Sequence, residues 1–434
     1  MELNLFDSSK LIIAVFIALV LHILFLRRFI ISFLDPWLFM FLAQIMIIAV
    51  FIYSFWTNQI PGKHFCYVIG SWFGFIVGLS VFYKKTIKPV RSKVIVTAKA
   101  ANLSLKFYLI LFLINSCFIF YFMGIPLFIN GPRLITAYSE MGSGFGILYY
   151  ANWGLQSIIT MLGLREWLIN DRKGLGIGVL VCILIFNTLN GGSKAGYLDM
   201  TMLISLAMYF MKRNYDITYQ FPKFFKVALY LLPFYILFSF ASAVSSGYES
   251  NVFFALIRRT VGSAEGPFYY FVLHSYTYFK GLNVLSYHFS QILPYFGYVD
   301  KEAINLGVNL SLYSDLKFGT QGMGANPTMY VIGHIAFGNF GIIYCFFIGT
   351  ILSYFRFRMK ASFLIWMFIN ATSTSLVTDG TLMPVIIFYV LLLSPIIIIS
   401  IILTDKSIFT DNSDSSFTKN HNMRHLKNLI QKYN

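Results

Sequence analysis

The chain has 434 residues, 58% of them hydrophobic and 12% charged, with a formal net charge of +16. Soluble domains carry about 25% charged residues, so this composition excludes an ordinary soluble protein and sets the class as a polytopic membrane protein with one membrane domain. A net positive charge can indicate nucleic acid, but the placement of the cations along this chain excludes that partner.

Taken in order, apolar runs compatible with spans of about 20 residues fall at 11–26, 36–56, 64–82, 107–129, 145–164, 174–190, 195–211, 227–246, 327–355, 361–378 and 381–403. They predict an all-α integral membrane protein of about eleven transmembrane helices. Residues 1–246 carry eight of them, 247–326 form one large loop, 327–403 carry three more, and 404–434 are a polar and basic tail. Arg27-Arg28 follow the first apolar run where a signal peptide would need small residues, so the run reads as a retained helix. Cys66, Cys117, Cys182 and Cys345 all lie in apolar runs, which predicts neither a disulfide framework nor a cysteine metal site.

The connections sort by charge. Alternate ones hold 24 Lys and Arg, among them the acid-free basic stretch 83–106, and the remaining ones hold 9. The positive-inside rule assigns the richer set to the cytoplasm. The N-terminus and residues 247–326 then face outward and the C-terminus inward. Basic stretch 83–106 reads as charge that faces anionic lipid headgroups.

Candidate chemistry follows the same order. His22, in the first run, reads as a packing residue. Arg133, in Asn130-Gly-Pro-Arg, stands in an outward loop and offers a planar fork for phosphate oxygens. Asn190-Gly-Gly-Ser-Lys194 makes a tight turn that can cradle an anion, or simply closes a helical hairpin with one interfacial lysine. Asp199 lies within the seventh run, where a carboxylate is functional or paired, and Lys194 is the obvious partner.

The loop 247–326 holds Arg258-Arg259, five Lys or Arg against five Asp or Glu, and a dense series of Phe and Tyr. A neutral, aromatic-rich loop suits sugars, whose C–H faces pack on rings. Arg258 and Arg259 suit a phosphate, or an ion pair with Glu249 or Glu265. From Thr328 to Phe355 the ninth run would make about 42 Å of continuous helix, longer than the roughly 30 Å hydrocarbon core. That length sets His334 at the outer interface, to relay a proton, bind phosphate or pack. The sequence lacks a Walker A loop, His-Glu-x-x-His and Gly-x-Ser-x-Gly, and no spaced carboxylates suggest a divalent metal.

On these residues the chain resembles the Wzy family, the O-antigen and capsule repeat-unit polymerases of bacterial inner membranes. Asn130-Gly-Pro-Arg133 with the following Gly142-Ser-Gly-Phe-Gly looks like the family's arginine-bearing outer loop. Gly191-Gly-Ser-Lys194 looks like its small-Ser-Arg turn, with Lys in place of the more frequent Arg. Asn326-Pro through Asn339-Phe-Gly looks like its exit from the large periplasmic loop, with His334 where a Glu or another polar residue is expected. The resemblance implies a GT-C-like architecture and a metal-independent glycosyltransferase without cofactors. Its donor and acceptor would be undecaprenyl-diphosphate-linked glycans, and its partners membrane lipids, with or without a chain-length regulator. It further implies Arg133, Lys194, Arg258 and Arg259 as cations for the leaving diphosphate, and Glu265, His334 or Asp379 as the base. Asp199, Asn326 and Asn339 are implied around the substrate. An O-antigen ligase shares this plan, and a lipid-linked oligosaccharide flippase is the alternative from another class.

Overall fold

The computed structural model describes residues 7–30, 35–83, 98–123, 125, 143–189, 194–215, 264–279, 281, 283–289, 306–313, 325–359, 361, 363–378 and 394–395. Among them every regular element is helical. The longer ones are α1 (Ser8–Leu26), α2 (Pro36–Trp56), α3 (Gly62–Val81), α4 (Ala98–Met123), α5 (Ser143–Leu168), α6 (Lys173–Leu189) and α7 (Lys194–Tyr215), then α8 (Thr328–Phe337), α9 (Gly341–Phe357) and α10 (Phe363–Thr372). Five described stretches are long and apolar enough to cross a membrane: Ser9–Phe29, Pro36–Trp56, Gly62–Val81, Ala101–Phe122 and Thr328–Phe357. Large apolar side chains such as Ile12, Phe16, Leu24, Ile110 and Phe118 are exposed along α1 and α4, a cost in water that lipid removes. The protein is embedded in a membrane. The expected spans 227–246 and 381–403 lie almost wholly outside the described residues.

Two compact units divide the chain. One comprises Met1–Thr86, Pro222–Met359 and Ile369–Ile386, the other Ile87–Phe221, Lys360–Phe368 and Ile387–Asn434. In the first unit, α1 and α2 are antiparallel, because the Asp7 N–H near the start of α1 donates to Tyr53 Oη near the end of α2 at 2.9 Å. Helix α1 runs parallel to α3: Trp72 Nε1 donates to His22 Nε2 at 3.2 Å and Arg28 donates to the Ser80 hydroxyl at 2.7 Å. His22 is buried, and its Nδ1 bonds the Ala18 carbonyl at 2.8 Å, which makes it a satisfied packing residue.

Helices α3 and α9 are also parallel and touch backbone to backbone. A Cβ on Gly78 would sit 2.1 Å from the Phe346 carbonyl oxygen, and one on Gly349 would sit 2.3 Å from that of Phe75. Small residues at four-residue spacing (70, 74, 78) give this approach in lipid, where packing rather than water exclusion holds helices together. At the far end, Asp35 caps α2 by accepting from Trp37 N–H at 3.0 Å and pairs with Arg356. The Arg356 guanidinium lies 4.3 Å over the Trp37 ring. Both charged side chains are buried, so pairing and stacking together offset their desolvation.

The ninth apolar run departs from the expected single 42 Å helix. It is a helical hairpin. Cys345 Sγ donates to the Met329 carbonyl at 3.8 Å, whereas sixteen residues of continuous helix would separate them by about 24 Å. A Cβ on Gly333 would likewise meet the Gly341 carbonyl at 3.1 Å. The reversal is made at Gly338, with φ +56°, a left-handed conformation that glycine adopts without a Cβ clash. Length and composition could not reveal it, since both arms are apolar. The run 361–378 is broken as well, with α10 ending at Thr372 and one further turn over Ser375–Thr378.

In the second unit, α5 packs on α4 and α6. At the tight α5–α6 turn, Asp171 adopts φ +54°. There the buried Glu166 accepts from Asn170 Nδ2 at 2.7 Å and pairs with Arg165 and Arg172 at 3.6 and 3.4 Å.

Candidate functional site

The candidate side chains of the first unit gather where the end of α2, the first turn of α3 and α8 meet the described residues of 264–279 and 283–289. This aromatic stretch of the long loop is built into the helical unit. Gly266 lies against the Asn326 and Pro327 backbone. From there a wide π turn, Phe268–Val272, buries five consecutive large side chains. Such turns insert one residue into a helix and re-aim its side chains.

That turn brings Tyr270 to His334. Tyr270 Oη and His334 Nδ1 share a hydrogen bond of 2.9 Å. The His334 imidazole is surrounded by the rings of Tyr67, Phe271 and His64, with centroids at 4.7, 5.2 and 5.9 Å. Tyr67 is fixed by donating to the Tyr330 carbonyl at 3.0 Å. His64 is buried, stacks edge-on to Tyr276 at 4.7 Å, and its Nδ1 has no hydrogen-bond partner among the described residues. Lys63 and His274 lie within electrostatic reach of His64. The result is a pair of imidazoles and a phenol in an aromatic box. In the tautomer whose Nδ1–H donates to Tyr270 Oη, His334 Nε2 is a proton acceptor; in the other, Nδ1 accepts from the phenol and Nε2 carries the proton.

Beside it, Tyr344 Oη and His288 Nε2 share a hydrogen bond of 3.3 Å. Burial lowers the His288 pKa to about 4, because a charged imidazole there would lose its hydration.

A second polar feature lies deeper. Met40, Ala43, Gln44 and Ile47 of α2, Asn326 and Thr328 at the start of α8, and Val377 and Thr378 line a half-open cleft of about 160 Å³. Gln44 and Thr328 are each 1% exposed. Neither amide atom of Gln44, nor the Thr328 hydroxyl, has a partner among the described residues.

The sequence candidates fare unevenly. His334 and Asn326 stand at the two ends of α8, and Glu265 begins the turn that packs on Asn326. Asn339 is exposed in the hairpin reversal, just beyond α8. Lys194 and Asp199 both belong to α7, five positions apart and so about 140° around the helix. Arg133, Arg258, Arg259 and Asp379 lie outside the described residues. Sequence reasoning missed His64, Tyr270, Gln44 and Thr328. Gln44 left a signal, as the one carboxamide in an otherwise apolar run; Tyr270 left none among so many aromatics.

Among the described residues no three His, Cys, Asp or Glu side chains are grouped to hold a metal. Compared with protein-family models, curated proteins and solved structures, the chain matches none.

Proposed function

We propose that the chain polymerises undecaprenyl-diphosphate-linked oligosaccharide repeat units into O-antigen or capsular polysaccharide, at the periplasmic face of a bacterial inner membrane. In this reading about eleven spans carry a periplasmic loop 247–326, with the N-terminus periplasmic and the C-terminus cytoplasmic. The observation that carries it is the His334–Tyr270 bond, which sets a candidate base among the loop's own aromatic rings. An acceptor hydroxyl attacks the anomeric carbon of the donor glycan and gives its proton to His334 Nε2. The bond between that carbon and the diphosphate breaks, and undecaprenyl diphosphate leaves with the electron pair. Arg133, Lys194, Arg258 and Arg259 stabilise its growing charge. No nucleotide is consumed.

One observation favours a second reading. Helix α8 begins beside Gln44, the ninth residue of α2, so a helix end opens inside the apolar layer. Transporters bind their cargo at such broken helices, which keeps a lipid-linked oligosaccharide flippase as the alternative. Surface glycan profiles of a strain lacking this chain separate the readings. A polymerase predicts one repeat unit retained and no longer polymer. Absence of every unit indicates the flippase, and full-length polymer stranded on the lipid carrier indicates a ligase.

A further inference from the structure

We propose that the cleft between α2, the start of α8 and the Ser375–Thr378 turn binds one neutral polyhydroxyl ring, with the Gln44 carboxamide as its recognition element. In naming a glycan unit as the occupant, this rests on the reading above; the hydrogen-bonding argument does not.

Gln44 lies eight residues into a 21-residue apolar helix, about 12 Å from its start. A carboxamide at that depth with both atoms unpartnered is costly unless something in the cleft satisfies it. The described lining residues include no Lys, Arg, His, Asp or Glu, and a net charge buried without a counter-charge is strongly disfavoured. A cation is opposed further by the N–H groups of Gln44 and by the open N-terminus of the ten-residue α8, which has no side-chain cap. A neutral occupant with several hydroxyls suits this described lining best.

Its hydrogen-bonding pattern follows from what the cleft offers. A primary carboxamide presents a donor and an acceptor side by side in one plane. Two hydroxyls on adjacent carbons are its complement: one accepts from Nε2–H while its neighbour donates to Oε1. The Thr328 hydroxyl supplies a third partner that can donate or accept. Met40, Ile47 and Val377 give the same cleft apolar walls, suited to the C–H face of a ring. A volume of about 160 Å³ leaves room for one such ring.

The test uses the full chain in lipid nanodiscs and ligand-observed saturation-transfer NMR. The probes are the methyl glycosides of glucose, galactose and mannose, with trans-1,2-cyclohexanediol and cyclohexanol as ring-sized probes with and without a hydroxyl pair. At least one glycoside and the diol should bind, cyclohexanol should not, and binding should weaken at least tenfold in Gln44→Leu. Thr328→Ala, which leaves α2 intact, carries the same expectation should Gln44→Leu fail to insert. Saturation of none of the hydroxylated probes, or equal binding by wild type and both variants, would leave water as the occupant and overturn the proposal. Binding that depends on Gln44, in a protein whose deletion strain still makes full-length polymer, would keep the site and remove the polymerase. Polymer lost on deletion, with no glycoside bound by wild type, would do the reverse.

Discussion

Met329 and Cys345 are sixteen residues apart and in contact, through the cysteine sulfur and the methionine carbonyl. This contact turns an apolar stretch that could cross a bilayer once into a hairpin, and everything placed around α8 depends on it. With Cys66, Cys117 and Cys182 changed to Ser, Met329→Cys should cross-link to Cys345 with the shortest bis-methanethiosulfonate reagents, as read by peptide mass spectrometry. Cross-linking only with reagents that span more than 20 Å, on the order of the separation in a continuous helix, would show a straight span.

The buried Asp35–Arg356 pair should be costly to break on one side. Asp35→Asn or Arg356→Met alone strands a buried charge, for which about 3–5 kcal/mol is typical. The double variant should recover much of that loss, and thermal unfolding midpoints of the four proteins measure it. Additive losses would mean the two side chains act independently.

How far this could be read in advance depended on what each feature leaves in the sequence. Hydrophobic length and cation placement mark a span plainly, and α1, α2 and α3 fall within a few residues of the apolar runs at 11–26, 36–56 and 64–82. The hairpin at Gly338 leaves no such mark, because both its arms are apolar and one φ angle makes the reversal. The same holds for the site. His334 stood out as an imidazole at the start of an apolar run, but its partners Tyr270 and His64 come from 64 and 270 residues away, and only tertiary packing selects one tyrosine from 28.

Acid should loosen the contact between His288 and Tyr344. The folded pKa of His288 is lowered to about 4, below the unfolded value near 6.5. The neutral imidazole therefore favours the fold at neutral pH, and the contribution is lost as pH falls from about 6.5 towards 4. The loss approaches about 3 kcal/mol by pH 4. The protection of the Val284–His288 amides, taken relative to their intrinsic exchange rate at each pH, should fall over that interval in wild type and stay constant with pH in His288→Gln.

Charge at Lys194 should matter more than shape. Removing an electrostatic contact to a leaving group costs about 10²–10³ in rate, acting on turnover more than on binding. Lys194→Arg should therefore remain active and Lys194→Gln should be nearly inactive at normal protein level. Polymer restored by adding Asp199→Asn to Lys194→Gln would make the lysine a structural partner and remove it from the mechanism. Arg258→Ala combined with Arg259→Ala should abolish polymer while the protein still inserts, and wild-type chains from that variant would remove both arginines.

The central claim is tested most directly by turnover in a purified system. The full chain in nanodiscs is given undecaprenyl-diphosphate-linked repeat units, and products are resolved by length. Wild type should yield a ladder of multimers with release of undecaprenyl diphosphate. His334→Gln should lower kcat by about 10²–10⁴, the usual worth of a general base, with KM little changed. Tyr270→Phe should keep part of the activity with a shifted pH profile, since it orients the imidazole without touching the acceptor. A ladder of unchanged rate from His334→Gln would contradict the assigned base, and single units that stay single with active wild-type protein would contradict the polymerase.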